Sequence, residues 1–171
     1  QRQMCIRDSL SIPVMKIELI VVGKTATPYL KEGIEHYVKR LTHYVPYEIR
    51  TISDIKTSKA LTAERQKEME GELILQQIQP GDRVVLLDEH GREMTSRDFA
   101  GYLEKAMSTV GKRLLFVVGG AYGFSKKVYD RADGKLSLSQ MTFSHEMIRL
   151  FFTEQVYRAM TILNGGPYHH E

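Results

Sequence analysis

The sequence predicts an α/β protein with a mainly parallel sheet flanked by helices. Two apolar runs, DRVVLLD (82–88) and LLFVVGG (114–120), lack polar alternation, as strands covered on both faces do. Strand-like and helix-like periodicities also alternate along the chain, the pattern of a sheet built by crossovers. With 171 residues, 42% hydrophobic and 26% charged, the chain has the makeup of one globular domain.

The elements follow in order. KIELIVVG (16–23) is β-branched and closed by glycine, so it reads as a strand. TPYLKEGIEHYVKRL (27–41) reads as a helix, with Thr27 as N-cap, Pro28 at the first helical position, and Leu30, Ile34, Tyr37, Val38 and Leu41 on one face. YEIRTISD (47–54) alternates like a half-buried strand, and TAERQKEMEGELILQQI (62–78) is a charged amphipathic helix stopped by Pro80 and Gly81. The strands at 82–88 and 114–120 enclose a helix, TSRDFAGYLEKAMSTV (95–110). SKKVYDRAD then gives a short helix, KLSLS (135–139) a short strand, and residues 145–163 the longest helix, with Ile148, Phe152, Val156, Ala159 and Leu163 facing the core.

Strand-like alternation begins at Met15, so residues 1–14 are expected to be an extraneous or disordered extension and residues 15–171 a single domain. The extension lacks the apolar core of a signal peptide, and no run approaches the roughly 18 residues that span a bilayer. The only cysteine is Cys5, which leaves no intramolecular disulfide and suits a reducing cytoplasm. A net charge of +3 permits a polyanionic partner without demanding one.

Open α/β sheets bind ligands beyond the carboxyl ends of their strands. That rule selects residues 87–91, 119–124 and 139–145. In VVGGAYGF, Gly119 and Gly120 are adjacent, which matches neither the dinucleotide nor the P-loop spacing. The composition fits a plain turn as well as a ligand loop. In SLSQMTFSH, Thr142 or Ser144 can cap the following helix, yet the remaining polar groups suit a rim that reads an adenine. His145 with Arg149, and Glu154 with Arg158, are i, i+4 pairs that solvent-facing positions explain equally well. No G-x-S-x-G elbow occurs, and the adjacent His169 and His170 have no partners at zinc-ligand spacing, so no metal is expected. The closing NGGPYHHE fits a ragged end, a tag remnant or a working part of a site.

These stretches together, MKIELIVVGK, LLD at 86–88, FVVGGAYG at 116–123, SLSQMTFSHEMIR at 137–149, EQVYRA at 154–159 and the terminal PYHHE, resemble the ribosomal large subunit methyltransferase H family of the SPOUT class. The resemblance runs in order from Met15 to Glu171. It implies a C-terminal trefoil knot, a rare exception to topology rules. It also implies S-adenosyl-L-methionine as methyl donor, a cytoplasmic homodimer, and methylation of N3 of a pseudouridine in 23S rRNA on the assembled ribosome.

By the same resemblance, Leu86 and Leu87 end a strand beneath the cofactor, and Gly119 and Gly120 let it approach the main chain. Ser137, Leu138, Ser139, Gln140, Met141 and Thr142 form the loop that wraps it. His145, Arg149, Tyr168 and His169 border the target base. Imidazole chemistry near neutral pH leads us to expect His169, and less so His145, to accept the N3 proton directly or through water, with Arg149 stabilising charge that grows on the uracil oxygens. Phosphate contacts are expected from Lys16, Lys24, Lys39, Arg40, Lys126 and Lys127. The alternatives are a SPOUT methyltransferase of another RNA such as tRNA, or a non-catalytic ribosome-binding module.

Overall fold

The computed structural model describes residues 14–56 and 60–170. Of the expected N-terminal extension, all but Val14 lies outside the described residues. Ten elements follow one another: β1 (Lys16–Val22), α1 (Pro28–Leu41), β2 (Tyr47–Ile52), α2 (Ala63–Gln77), β3 (Arg83–Glu93), α3 (Ser96–Thr109), β4 (Arg113–Val118), α4 (Lys126–Arg131), β5 (Gly134–Ser137) and α5 (Met147–Leu163). The five strands form one parallel sheet in the order β2-β1-β4-β3-β5.

Strand alternation divides the apolar residues between two cores. On one face, Ile17, Leu19, Val85, Leu114, Phe116 and Leu136 pack under α1, α3 and α5, whose Phe152, Val156 and Ala159 are buried. On the other, Ile20, Val84, Leu86, Leu115 and Val117 pack with Ile74 of α2 and Val128 of α4. Complete burial of the apolar side chains of β4 explains why its sequence shows no polar alternation. Ile148 and Leu163, expected in the core, are partly buried at the ends of that face.

Local signals set most boundaries. Thr62 caps α2 by accepting from the Arg65 N–H (3.1 Å), and Thr95 with Asp98 forms a reciprocal capping box at α3. Thr27 precedes α1 as expected, but its side chain makes no cap bond. Just ahead of the helix, the Glu146 carboxylate accepts from the main-chain N–H of Ala26 (2.8 Å) and Thr27 (3.3 Å). That contact ties the start of α1 to the residue preceding α5. β3 runs five residues past the expected end at Asp88. Leu87 and then Arg92 both pair with Leu136 of β5, so residues 88–91 bulge out between two stretches of one ladder.

At the amino-terminal edge of the sheet, buried Glu18 accepts from Arg113 (3.3 Å) and Arg50 (3.4 Å), while Arg113 also donates to Asp82 (Nε, 3.0 Å). Burial alone would raise the Asp82 carboxyl. Hydrogen bonds from Arg113 and the Gln79 N–H, with Arg131 nearby, bring it below its ordinary value instead. A depressed carboxylate contributes stability above its unfolded pKa of about 4, and that contribution is lost as pH falls through the lower folded value. Thermal melts of Asp82→Asn between pH 2 and 7 should therefore show a lower Tm near neutrality and a shallower acid limb than the parent. Parallel curves would contradict the assignment.

Candidate functional site

The connections leaving β3 and β4 run to opposite faces: α3 joins the α1 and α5 side, and α4 joins the α2 side. A crevice follows at such a divergence. Here it is a cavity of about 750 Å³ lined by the bulge of β3 and by the segments following β4 and β5. Its size lies within the range of small-molecule sites, about 300–1,000 Å³.

The bulge within β3 supplies one wall. Asp88 is almost wholly buried and accepts from the His90 N–H (2.8 Å) and from the Tyr129 hydroxyl. Burial opposes its ionisation, but the bonds from Tyr129 and His90, with Lys135 nearby, hold it below the usual carboxylate range. Burial and the hydrogen bond to Asp88 push the Tyr129 phenol up to about 12. The pair thus presents a fixed carboxylate beside a neutral hydroxyl.

The glycine loop after β4 supplies the second wall. Gly120 and Gly123 close a turn (Gly123 N–H to Gly120 C=O, 3.1 Å), and Phe124 is buried beneath it, edge-on to Tyr129. A Cβ on Gly120 would lie 2.2 Å from Oε2 of Glu70, so a side chain there displaces either the loop or the Glu70 carboxylate.

The third wall is the segment from β5 to α5. Ser137 donates to the Ser139 carbonyl (2.9 Å), and the Ser139 hydroxyl accepts from the Met141 N–H (2.9 Å). These serines shape the loop by bonding to it. Ser144 accepts from the Met147 N–H (3.2 Å), so of the two hydroxyls considered for the helix cap Ser144 is the one used.

Nine of the sequence-selected residues meet at this cavity: Leu87, Gly119, Gly120, Ser137, Leu138, Ser139, Met141, Thr142 and His145. Leu86 is fully buried in the α2 and α4 side core, one layer beneath. Gln140 turns aside towards Glu93 (3.4 Å). Arg149 is 1% exposed, unlike the solvent-facing position its spacing also allowed. Its guanidinium donates to the carbonyls of Val22 (2.7 Å), Gly23 (2.8 Å) and His145 (3.0 Å) and to Thr25 Oγ1 (3.0 Å). It joins the end of β1 to the start of α5, and burial lowers its pKa.

The C-terminal residues gather elsewhere. Gly165 takes a left-handed conformation (φ +68°) and Gly166 N–H bonds back to Thr161 C=O (2.8 Å), so the chain reverses over α5. The Tyr168 ring packs edge-on to Tyr157 (4.8 Å), with Arg158 above it (4.7 Å). Its hydroxyl meets Tyr37 and Glu154, both at 3.1 Å. Burial and these two partners raise the phenol's pKa. His169 Nδ1 lies 3.4 Å from Arg158. Arg158 stands ten residues beyond Ile148, the α5 residue that lines the cavity, or about 15 Å along the helix.

Sequence reasoning passed over Asp88, Tyr129 and Lys67 as lining groups, and Glu154 as the organiser of the tail. The strand-end rule pointed at residues 87–91 and so held the signal for Asp88; nothing local marked Tyr129 or Lys67. Among the described residues no cluster of three or more His, Cys, Asp or Glu side chains suits a metal ion, and no helix is long and apolar enough to cross a membrane.

Fold and cleft together define an open α/β protein with a cavity across three neighbouring parallel strands. Residues 15–169 match the family model described as "Predicted SPOUT methyltransferase", and the chain belongs to that family. The protein named ribosomal RNA large subunit methyltransferase H of Parabacteroides distasonis is 64% identical over 157 residues, which is 92% of this chain and all of that protein. Its namesake of Bacteroides fragilis is 58% identical over the same shares. That of Christiangramia forsetii is 54% identical over 91% of this chain and 99% of its own length.

Proposed function

We propose that this protein is a cytoplasmic, S-adenosyl-L-methionine-dependent methyltransferase that methylates N3 of a pseudouridine in 23S rRNA on the assembled ribosome. What carries it is the convergence of the glycine loop and the serine-shaped loop on one cavity in a chain of the SPOUT family. The relatives' printed name supplies the rRNA substrate class.

The residues present fit the donor. Gly119 and Gly120 carry no side chain, so a ligand there meets main chain. Leu87, Leu138 and Phe124 offer apolar surface, and Asp88 and Glu89 offer carboxylates suited to hydroxyl groups or to a cation. S-adenosyl-L-methionine supplies an already activated sulfonium methyl group. Residues 119–120 and 137–142 would bind it, with Leu86 beneath and Leu87 at the floor. Such orientation contributes roughly 7–11 kcal/mol towards lowering a bimolecular barrier.

His169 takes the N3 proton, since imidazole is the side chain best matched to that transfer near neutral pH. His145 at the cavity rim is the second choice. Arg149, its donors committed to main-chain carbonyls, acts by holding His145 and the β1 terminus in place. Tyr168, a neutral phenol, shapes the pocket for the base. Within one chain the tail and the cavity use separate residues. A homodimer in which each tail completes the partner's cavity brings them together, and the knot implied by the family belongs to the same proposal.

Calorimetric titration with S-adenosyl-L-methionine tests the first step. Binding is expected, and its absence favours a ribosome-binding module without catalysis. Gly120→Ala should weaken that binding at least tenfold by forcing the loop and the Glu70 carboxylate apart. Unchanged affinity would contradict the loop's role.

A further inference from the structure

We propose that Glu70 is a positioning residue for the glycine loop, its second carboxylate oxygen an acceptor reserved for the ligand-bound state. Glu70 lies in α2 and is 3% exposed. Oε1 accepts from Gln66 Nε2 (2.9 Å). Oε2 is, among the described residues, the buried side-chain polar atom with no hydrogen-bond partner. A buried acceptor left unmatched costs about 1–3 kcal/mol, and an apolar side chain of similar size would avoid that cost. The bond from Gln66 accounts for Oε1, but a purely structural role gives no reason for the second oxygen.

What faces Oε2 is the main chain of Gly120: a Cβ built there meets both oxygens, at 2.2 and 3.0 Å. The next residue, Gly71, touches the far end of the same loop, where a Cβ would lie 2.2 Å from Ser125 Oγ. Glu70 and Gly71 thus straddle residues 120–125, several of which line the cavity, and Lys67 one turn earlier lines it directly. Peptide rotation is cheapest at glycine. When a ligand seats against the loop, the main chain at Gly120 turns an N–H onto Oε2, and the free acceptor becomes a latch. The free protein is less stable for want of that bond, and the bound protein gains it.

The inference rests on the proposal that the cavity takes S-adenosyl-L-methionine, and the experiment separates the two. S-adenosyl-L-methionine and S-adenosyl-L-homocysteine are titrated calorimetrically into the parent, Glu70→Met and Glu70→Gln. Ligand-free thermal melts and amide exchange at residues 119–123, with and without ligand, accompany the titrations. Glu70→Met should melt no lower than the parent yet bind at least tenfold more weakly. Glu70→Gln, which keeps an acceptor, should recover most of the affinity, and the parent's loop amides should gain protection on binding. Parental affinity in Glu70→Met, or a Tm several degrees lower, overturns the role of Glu70 alone. If Glu70→Met does not fold, the parent's exchange data decide, and an absence of added protection overturns it. A parent that binds neither ligand overturns the donor site and this inference with it.

Discussion

Truncation after Gly166 yields a folded protein that transfers no methyl group. The stability side follows from what the tail touches. Tyr168 packs on Tyr157 at the edge of the core and bonds to Tyr37 and Glu154, while Phe152, Val156 and Ala159 of α5 are buried in the core cluster shared with β1 and β4. One aromatic pair of this kind contributes about 0.5–1.5 kcal/mol beyond its buried area, too little to unfold a domain of this size. The activity side follows from His169. Loss of a positioned general base slows a reaction by about 10²–10⁴-fold, and truncation also removes Tyr168, proposed above to shape the pocket for the base. His169→Ala isolates the first effect: at least a hundredfold drop in turnover with a parental melt. A truncated protein that still methylates at the parental rate would remove the tail from the active site.

Arg149→Met has the largest expected effect on stability. The guanidinium holds three main-chain carbonyls, those of Val22, Gly23 and His145, at a buried junction between β1 and α5. Methionine fills similar space but leaves those acceptors unmatched, at about 1–3 kcal/mol each. A total loss on the order of 3–5 kcal/mol corresponds to a Tm drop of about 10 °C for a domain of this length. Arg149→Lys should fall between, because one ammonium cannot span the positions a planar fork reaches. A parental Tm in Arg149→Met would show that the junction holds without it.

Much of the fold is legible in the sequence because its signals are local. Apolar runs, Thr-capped helix starts and the Pro80-Gly81 stop place every element within a few residues, and the strand-end rule picks out the loops that form the cavity. What was illegible depends on distant partners. β3 extends to Glu93 because β5 pairs with it on both sides of a bulge. The tie between Glu146, far along the chain, and the N–H groups of Ala26 and Thr27 just before α1 is a contact no local pattern announces. Arg149 looks solvent-facing beside His145 until the carbonyls ending β1 are placed against it. Strand order, likewise, is a fact of pairing that periodicity does not encode.

The central claim is that this cleft and this tail methylate one base of the large-subunit RNA. Labelled S-adenosyl-L-methionine, the purified protein and ribosomes from cells lacking the activity, followed by base-resolved mapping, test it most directly. The expected result is one labelled nucleotide, a pseudouridine methylated at N3 in 23S rRNA, with far less label on protein-free RNA. Label confined to tRNA, or none on any RNA despite measurable cofactor binding, would contradict it.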